Sequence, residues 1–513
     1  MLVDEVVDLQ GLLEDRKPLV DVASYLGDTG HELSAFGDVV IHEVVSSTDA
    51  VVPGALFVAQ RGLRSHGAKY AADAIAAGAV AILTDREGET IIQKSRQVES
   101  GQASVPLLVV SKPEVDLGHL AHWFHGHPMR SMHAVGITGT NGKSTITTLL
   151  YEIWKSAGYT AGLMGTIATL MPGVEITSGR TTDSADEIAR RTAQMARLHV
   201  RALAMEVSSH GLALHRLAGA RFSAVAFSNL SQDHLDFHGD MESYFLAKAR
   251  LFTHDFSDRA FINIDNPYGR RLAEMTELEV VTLSLHDPDA SWFLERREAI
   301  ATGYRLALRG PGGILIESEL SLPGIHNIEN YMMAVALAVD SGVDPLVIAT
   351  LSKHLLGARG RMERIDLGQE FAAFIDYAHT PDAVTRVLGS LRENFSGRVI
   401  ALLGCGGDRD RSKRPLMGKA LLDGSDVAIF TSDNPRSEDP SAILSEMTAN
   451  LEFTEPSLVE VDRRRAIRYA VTIAKPGDVV IALGKGHEKG QEVKGQVEDF
   501  DDRFELAAAI EDR

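Results

Sequence analysis

Short apolar runs recur along the chain, each closed by a small or polar residue and followed by a stretch with helical spacing. Through about residue 110, "ALFVAQ", "AVAILTD" and "PLLVVS" alternate with helical segments such as "HGAKYAADAIAAGA", which predicts a small α/β domain. "PEVDLGHLAHWF" then reads as a helix leading into the strand "HAVGIT", the loop "GTNGKS" and the helix "TITTLLYEIWKSAG". The apolar strands "ALAMEVS", "AVAFSNL" and "RAFINID" follow, and a parallel sheet covered by helices explains the alternation. From "GARGRMERI" onward a third series begins: "FAAFIDYAH", "VIALLGCGG", "DVAIFTSD" and "DVVIALGKG", separated by helices such as "PDAVTRVLGSLREN". The predicted fold class is therefore α/β in three domains, 1–130, 131–356 and 357–513. In open sheets of this kind ligands bind beyond the carboxyl ends of the strands.

Bulk properties narrow the class. A chain of 513 residues exceeds what one hydrophobic core organises, in keeping with several domains. With 51 Lys+Arg against 71 Asp+Glu, the net charge of −20 lacks the positive field that drives nonspecific nucleic-acid binding. The single cysteine, Cys405, can form neither an intrachain disulfide nor a cysteine zinc cluster, which fits a reducing compartment. The start "MLVDEVVDLQ" has no basic n-region, and no apolar run approaches the ~20 residues that span a bilayer. A cytoplasmic protein with small-molecule substrates, no nucleic acid and no membrane span is expected, as a monomer.

The loop "GITGTNGKST" carries the first chemical signal. Its glycines, Gly136, Gly139 and Gly142, let backbone N–H groups curve around phosphate; Lys143 can reach the outer phosphates, and the Ser144 hydroxyl can ligate Mg²⁺. The usual phosphate loop has a glycine where Ile137 stands. A glycine turn without a ligand is the alternative, and the flanking strand and helix argue against it. Glu206 closes an apolar strand, where it can serve a metal or simply cap the strand. "SNLSQDHLDFHGDMESYFLAKARLF" is dense in Asp and His, as solvated turns also are. Lys248 shares a helical stripe with Tyr244 and Leu251, so it points partly inward unless its stem snorkels to water.

In order, "GITGTNGKST", "MEVSSH", "SNLSQDHLDFHGDMESY…AK", "LPGIHNIEN", "GRMERI", "DYAHTPD" and "TSDNPRSEDP" closely resemble the Mur ligase family, from about residue 45 to the end. The resemblance implies a uridine-nucleotide domain, a central ATPase domain with a parallel sheet and helices on both faces, and a Rossmann-like C-terminal domain. It implies ATP-dependent amide ligation in peptidoglycan synthesis, adding the third residue to UDP-N-acetylmuramoyl-L-Ala-D-Glu through an acyl phosphate. It places ATP on Gly139, Thr140, Asn141, Gly142, Lys143, Ser144, Thr145, Asn330 and Asp376, and Mg²⁺ near Ser144, Glu206, His234 and a carbamylated Lys248. Lys143, Glu206, His234 and Lys248 are the implied catalytic residues. Thr181, Thr182, Ser208, Arg216 and Lys248 would hold the muramoyl dipeptide. The incoming amino acid would meet Arg409, Asp433, Asn434, Pro435, Arg436, Gly484 and Glu488. Arg436 of "DNPR" matches an extra carboxylate, which favours meso-diaminopimelate over lysine or ornithine.

Three departures stand out. Ser47, Thr48 and Asp49 replace the family's Asp-Ser-Arg in the uridine domain, Asp183 stands where a proline is frequent, and His326 stands where this branch often has Phe. A folylpolyglutamate-type ligase and a non-catalytic binding protein on the same fold are the alternatives.

Overall fold

The computed structural model describes residues 15–27, 38–62, 65–98, 105–300 and 303–513, so the "MLVDEVVDLQ" start lies outside the described residues. The chain divides into two compact units, residues 1–143 with 154–283 and residues 144–153 with 284–513.

Besides a two-residue antiparallel pair, Lys17–Pro18 with Val40–Ile41, two sheets organise the first unit. Glu43–Val45, Ala55–Ala59, Ala79–Thr84 and Leu107–Val109 form a four-stranded parallel sheet in chain order. Ala55–Ala59 is buried at every position, as a strand covered on both faces must be. The second sheet runs Ala161–Met164, Ala202–Glu206, His133–Thr138, Ala224–Phe227, Arg259–Asn263 and Glu279–Ser284, all parallel. His133–Thr138 thus lies between two neighbours, and its carboxyl end delivers the glycine loop with backbone paired on both sides. Ile137 is fully buried in that strand, opposite Glu206 and Ala226. It belongs to the core rather than to the turn, which begins at Gly139.

One edge of this sheet departs from the parallel expectation. Ala168–Met171 pairs antiparallel with Ala161–Met164 and with Val174–Thr177. The second unit adds an antiparallel meander of Trp292–Ile300, Gly303–Arg309 and Leu315–Leu320. "WFLERREAI" leaves five consecutive positions exposed, so both faces of that strand meet solvent there.

The second unit's main sheet runs Glu363–Arg364, Ala372–Asp376, Val479–Leu483, Val399–Leu403, Val427–Phe430 and Leu458–Val459, parallel apart from its first strand. All four strands read from the sequence are buried throughout. Arg463 and Asp502 form a fully buried bidentate pair, with Nε to Oδ1 at 2.7 Å and Nη2 to Oδ2 at 2.6 Å. Arg463 Nη2 also donates to the Leu483 carbonyl at 2.8 Å, tying the last helix to the end of a site-bearing strand. Removing one partner strands a buried charge, so Asp502→Ala should lose roughly 3–5 kcal/mol of stability in chemical denaturation. A loss below about 1 kcal/mol would mean that water reaches the guanidinium.

Candidate active site

The glycine loop is braced by the chain that follows Ala224–Phe227. Thr140 N donates to the Asn229 carbonyl at 2.8 Å, Asn141 N to Asn229 Oδ1 at 3.0 Å, and Ser228 Oγ to the Asn141 carbonyl at 2.6 Å. Gly139 has φ +154°, and a Cβ there would lie 1.9 Å from Ser228 Oγ, so no side chain fits. The sequence names the loop; Asn229, which holds it, lies in the "SNLSQDHLDFHGD" stretch, where the sequence reading assigns it no role.

Both candidate lysines converge on this loop. Lys143 Nζ donates to the carbonyls of Gly139 at 2.9 Å and Thr140 at 3.0 Å. Lys248 Nζ donates to the same Gly139 carbonyl at 2.9 Å and lies 4.8 Å from the Tyr244 ring centroid. Lys248 is only 1% exposed, which overturns the snorkelling alternative. Burial, and then the nearby Lys143 charge, push its amine well below the ordinary lysine value.

Glu206 is buried, and both carboxylate oxygens are occupied: Thr166 N donates to Oε1 and Thr166 Oγ1 to Oε2, each at 2.9 Å. Thr166 Oγ1 also reaches Thr181 Oγ1 at 3.0 Å. Thr182 Oγ1 donates to the Glu206 carbonyl at 3.2 Å and accepts from Ser208 N at 2.9 Å, while Arg216 Nη1 donates to the Thr182 carbonyl at 2.8 Å. Thr181, Thr182, Ser208 and Arg216 are therefore one connected group with Glu206. Asp183, beside them, has its carboxyl raised by burial. At the other departure, the Ser46 backbone and hydroxyl both hydrogen-bond the buried Asp186, at 2.8 and 2.9 Å. That anchors the turn carrying Ser47, Thr48 and Asp49 from its preceding residue.

His234 takes a left-handed φ of 53° and packs edge-on against His210 at 4.9 Å and Tyr244 at 6.1 Å. Desolvation lowers its pKa. Tyr244 stacks on His238 at 5.0 Å, and its hydroxyl is 3.2 Å from Thr140 Oγ1, so an aromatic cluster joins His234 to the phosphate loop. His210 and His238, inside "MEVSSH" and "DFHGD", went unnamed in the sequence reading, and Thr166 lies in no motif that could have signalled it. No group of three or more His, Cys, Asp or Glu side chains positioned for a metal occurs among the described residues.

Within the second unit, Asp376 accepts from Met362 N at 2.7 Å and Ala378 N at 2.8 Å, and burial raises its carboxyl. Asn330 donates to Asn327 Oδ1 at 3.3 Å, and burial holds His326 neutral, down to about 4. Asn434 is held from two sides, donating to Glu488 Oε2 at 2.7 Å and accepting from Lys485 Nζ at 3.1 Å. Lys485 is completely buried and also faces Asp433 at 3.7 Å, a core cation that sequence reading passed over inside "GKGHE". Gly484 has φ +106°, and a Cβ there would sit 2.9 Å from Asp433 Oδ2.

Arg436 is half-buried. Its Nη1 donates to the Gly407 carbonyl at 2.7 Å and its Nε lies 3.5 Å from Glu492. Its sequence neighbour Glu438 instead engages the buried Arg414, with Nη2 to Oε1 at 2.7 Å and Nη1 to Oε2 at 2.9 Å. Arg414, helped by Glu446 at 2.8 Å, thereby fixes the turn after Pro435, while Arg409 next to it stays exposed.

Burial keeps several rings neutral: His122 stays so down to about 3, and His238, His326 and His487 down to about 4. In the unfolded chain each takes up a proton near 6.5. The unfolded state then binds more protons, so stability should fall as pH drops from about 6.5 toward 4. Denaturant midpoints across that window would check this, and His326→Asn should flatten the slope.

Three family models match the chain: the Mur ligase family catalytic domain over residues 40–125, the Mur ligase middle domain over 137–338, and the Mur ligase glutamate ligase domain over 360–486. A Streptomyces coelicolor protein named UDP-N-acetylmuramoyl-L-alanyl-D-glutamate--2,6-diaminopimelate ligase is 41% identical over 499 residues, covering 96% of each chain. The chain belongs to the Mur ligase family. A Corynebacterium glutamicum Mur ligase of the same name is 39% identical over 481 residues, covering 91% of each chain. A solved structure with that name has 32% identity and a TM-score of 0.66, covering 92% of this chain and 95% of its own. Mycobacterium tuberculosis folylpolyglutamate synthase complexed with ADP shares the fold, at 20% identity and a TM-score of 0.58 over 71% of this chain. No helix among the described residues is long and apolar enough to cross a membrane.

Proposed function

We propose that this Mur ligase uses ATP to join meso-diaminopimelate to the D-Glu carboxylate of UDP-N-acetylmuramoyl-L-Ala-D-Glu. The observation that carries the reading is end-to-end identity with relatives bearing that ligase name. The family-model segments, which fall within 1–130, 131–356 and 357–513, support three domains with those bounds.

A carboxylate resists amines because its charge repels the nucleophile and oxide is a poor leaving group. Transfer of the γ-phosphoryl group from ATP creates an acyl phosphate and ADP. The amine then attacks the carbonyl carbon, and the tetrahedral intermediate expels phosphate and a proton to leave an amide. Lys143, released from the Gly139 and Thr140 carbonyls, supplies positive charge to the transferring phosphoryl oxygens. Thr181, Thr182, Ser208 and Arg216 orient the muramoyl dipeptide, with the Glu206 carbonyl holding the Thr182 hydroxyl.

The donor set suits Mg²⁺, which favours oxygen ligands and retains water: the Ser144 hydroxyl for one ion, and Glu206, His234 and a carbamylated Lys248 for another. Bound there, Mg²⁺ would neutralise charge that develops on phosphate. Burial disfavours the ammonium of Lys248, and its neutral amine can add to CO₂, forming an N–C bond and losing a proton. The Arg436 guanidinium, held by Gly407 with the Arg414–Glu438 pair behind it, pairs with the carboxylate that distinguishes diaminopimelate from lysine.

Phosphate release from ATP, with product mass, should be compared for meso-diaminopimelate, L-lysine and L-ornithine on the muramoyl dipeptide. Diaminopimelate alone should turn over, and Arg436→Ala should raise its KM about tenfold or more. Equal turnover with lysine would make Arg436 a structural residue, and no turnover with any of the three would refute the reading.

A further inference from the structure

A cavity of about 660 Å³ opens in the first unit against the helix Pro113–Phe124 and the segment 212–221. None of the phosphate-loop residues, nor Glu206, His234 or Lys248, lines it. Its volume is that of an ordinary small-molecule site. In a chain of net charge −20, its wall carries Arg130, Arg221 and Arg250 against one carboxylate, Asp255. Arg221 is committed to Asp258 and the His254 carbonyl. Arg130 and Arg250 have no carboxylate partner among the described residues; Arg250 makes one long bond, 3.4 Å, to the Leu212 carbonyl.

His122 forms part of the same wall. Its ring is 1% exposed, and Nε2 has no hydrogen-bond partner among the described residues. Buried polar atoms are ordinarily satisfied, so this orphan nitrogen, sealed beneath the wall, lacks a partner that a ligand oxygen could supply once the ring turns toward the cavity. His127 and His215, also on the wall, both take the left-handed backbone, at φ 56° and 55°. Beside the cavity the helix Pro113–Phe124 and the segment 212–221 pack backbone to backbone: a Cβ on Gly118 would lie 2.2 Å from the Ala218 carbonyl oxygen, and one on Gly219 would lie 2.7 Å from that of Gly118.

We propose that this cavity is a second ligand site, for a small polyanion bearing carboxylate or phosphate groups. Arg130 and Arg250 grip its charged oxygens, and His122, protonated on Nε2, donates to an oxygen at the base. Citrate and pyrophosphate serve as probes for the two anion types, titrated calorimetrically into the full-length protein. Lys143→Ala separates this site from the phosphate loop. The double variant Arg130→Ser/Arg250→Ser tests the cavity; both positions are exposed, so the fold should survive.

Saturable binding of one probe at about 1 mM or tighter, unchanged in Lys143→Ala and weakened about tenfold or more in the double variant, is the expected result. The His122 side-chain ¹⁵N resonance should shift with the probe in the wild type and not in the double variant. Absence of saturable binding, binding lost with Lys143, binding indifferent to the two arginines, or a His122 signal that ignores bound probe would each overturn the site.

Discussion

Lys143→Ala should abolish ATP-dependent phosphate release, with a loss of about 10³-fold or more, while circular dichroism and the thermal transition stay near those of the wild type. The two halves of that expectation come from different parts of the geometry. The fold should survive because Lys143 is only half-buried and the loop keeps its own bracing from Ser228 and Asn229. Turnover should fail because phosphoryl transfer leaves the protein little covalent work, and a missing cation at the transferring oxygens is not made good by water. Wild-type-like ADP formation by the variant would sink the assignment of this loop to catalysis.

The second large effect is expected at Lys248. Lys248→Ala should lose nearly all activity and recover part of it with added formate or acetate, because a short carboxylate can enter the space of the lost side chain and restore its charge. An ammonium would be a poor occupant of that space: it is fully buried, beside Lys143 and the phosphate loop. Burial lowers the amine's proton affinity, which raises the fraction free to react with CO₂ over that of an exposed lysine. Labelling with ¹³C-bicarbonate should give a carbamate carbon signal in the wild type that vanishes in Lys248→Ala. A fully active variant, or a wild type that never shows the signal, would refute the carbamate.

Much of the architecture was legible because buried parallel strands are written as short apolar runs, and "ALFVA", "ALAME" and "VVIAL" are buried at every position. The antiparallel elements were not, since "VEIT" and "WFLERREAI" alternate with charge and could pass for loops. In the site, the inward aim of Lys248 followed from helical spacing. Its acceptor did not, because Gly139 lies 109 positions away and only the sheet brings the two together. Arg436 shows how little nearness in sequence settles. Glu438 and Asp439 follow it closely, yet a left-handed φ of 51° turns the chain at Arg436, and Glu438 goes to Arg414 while Arg436 meets Glu492.

The Gly139 carbonyl, shared by two amines at 2.9 Å, bears on how this enzyme could be inhibited. The loop is its own competitor: a compound aimed at Lys143 must replace a bond that the protein already makes. A single anionic group gains little from that exchange. A scaffold placing one oxygen at Lys143 and another at Lys248 would displace both contacts together, and it would find the second lysine only in the uncarbamylated enzyme. On the proposed carbamate, screens run without bicarbonate would therefore present a different target from the carbamylated enzyme.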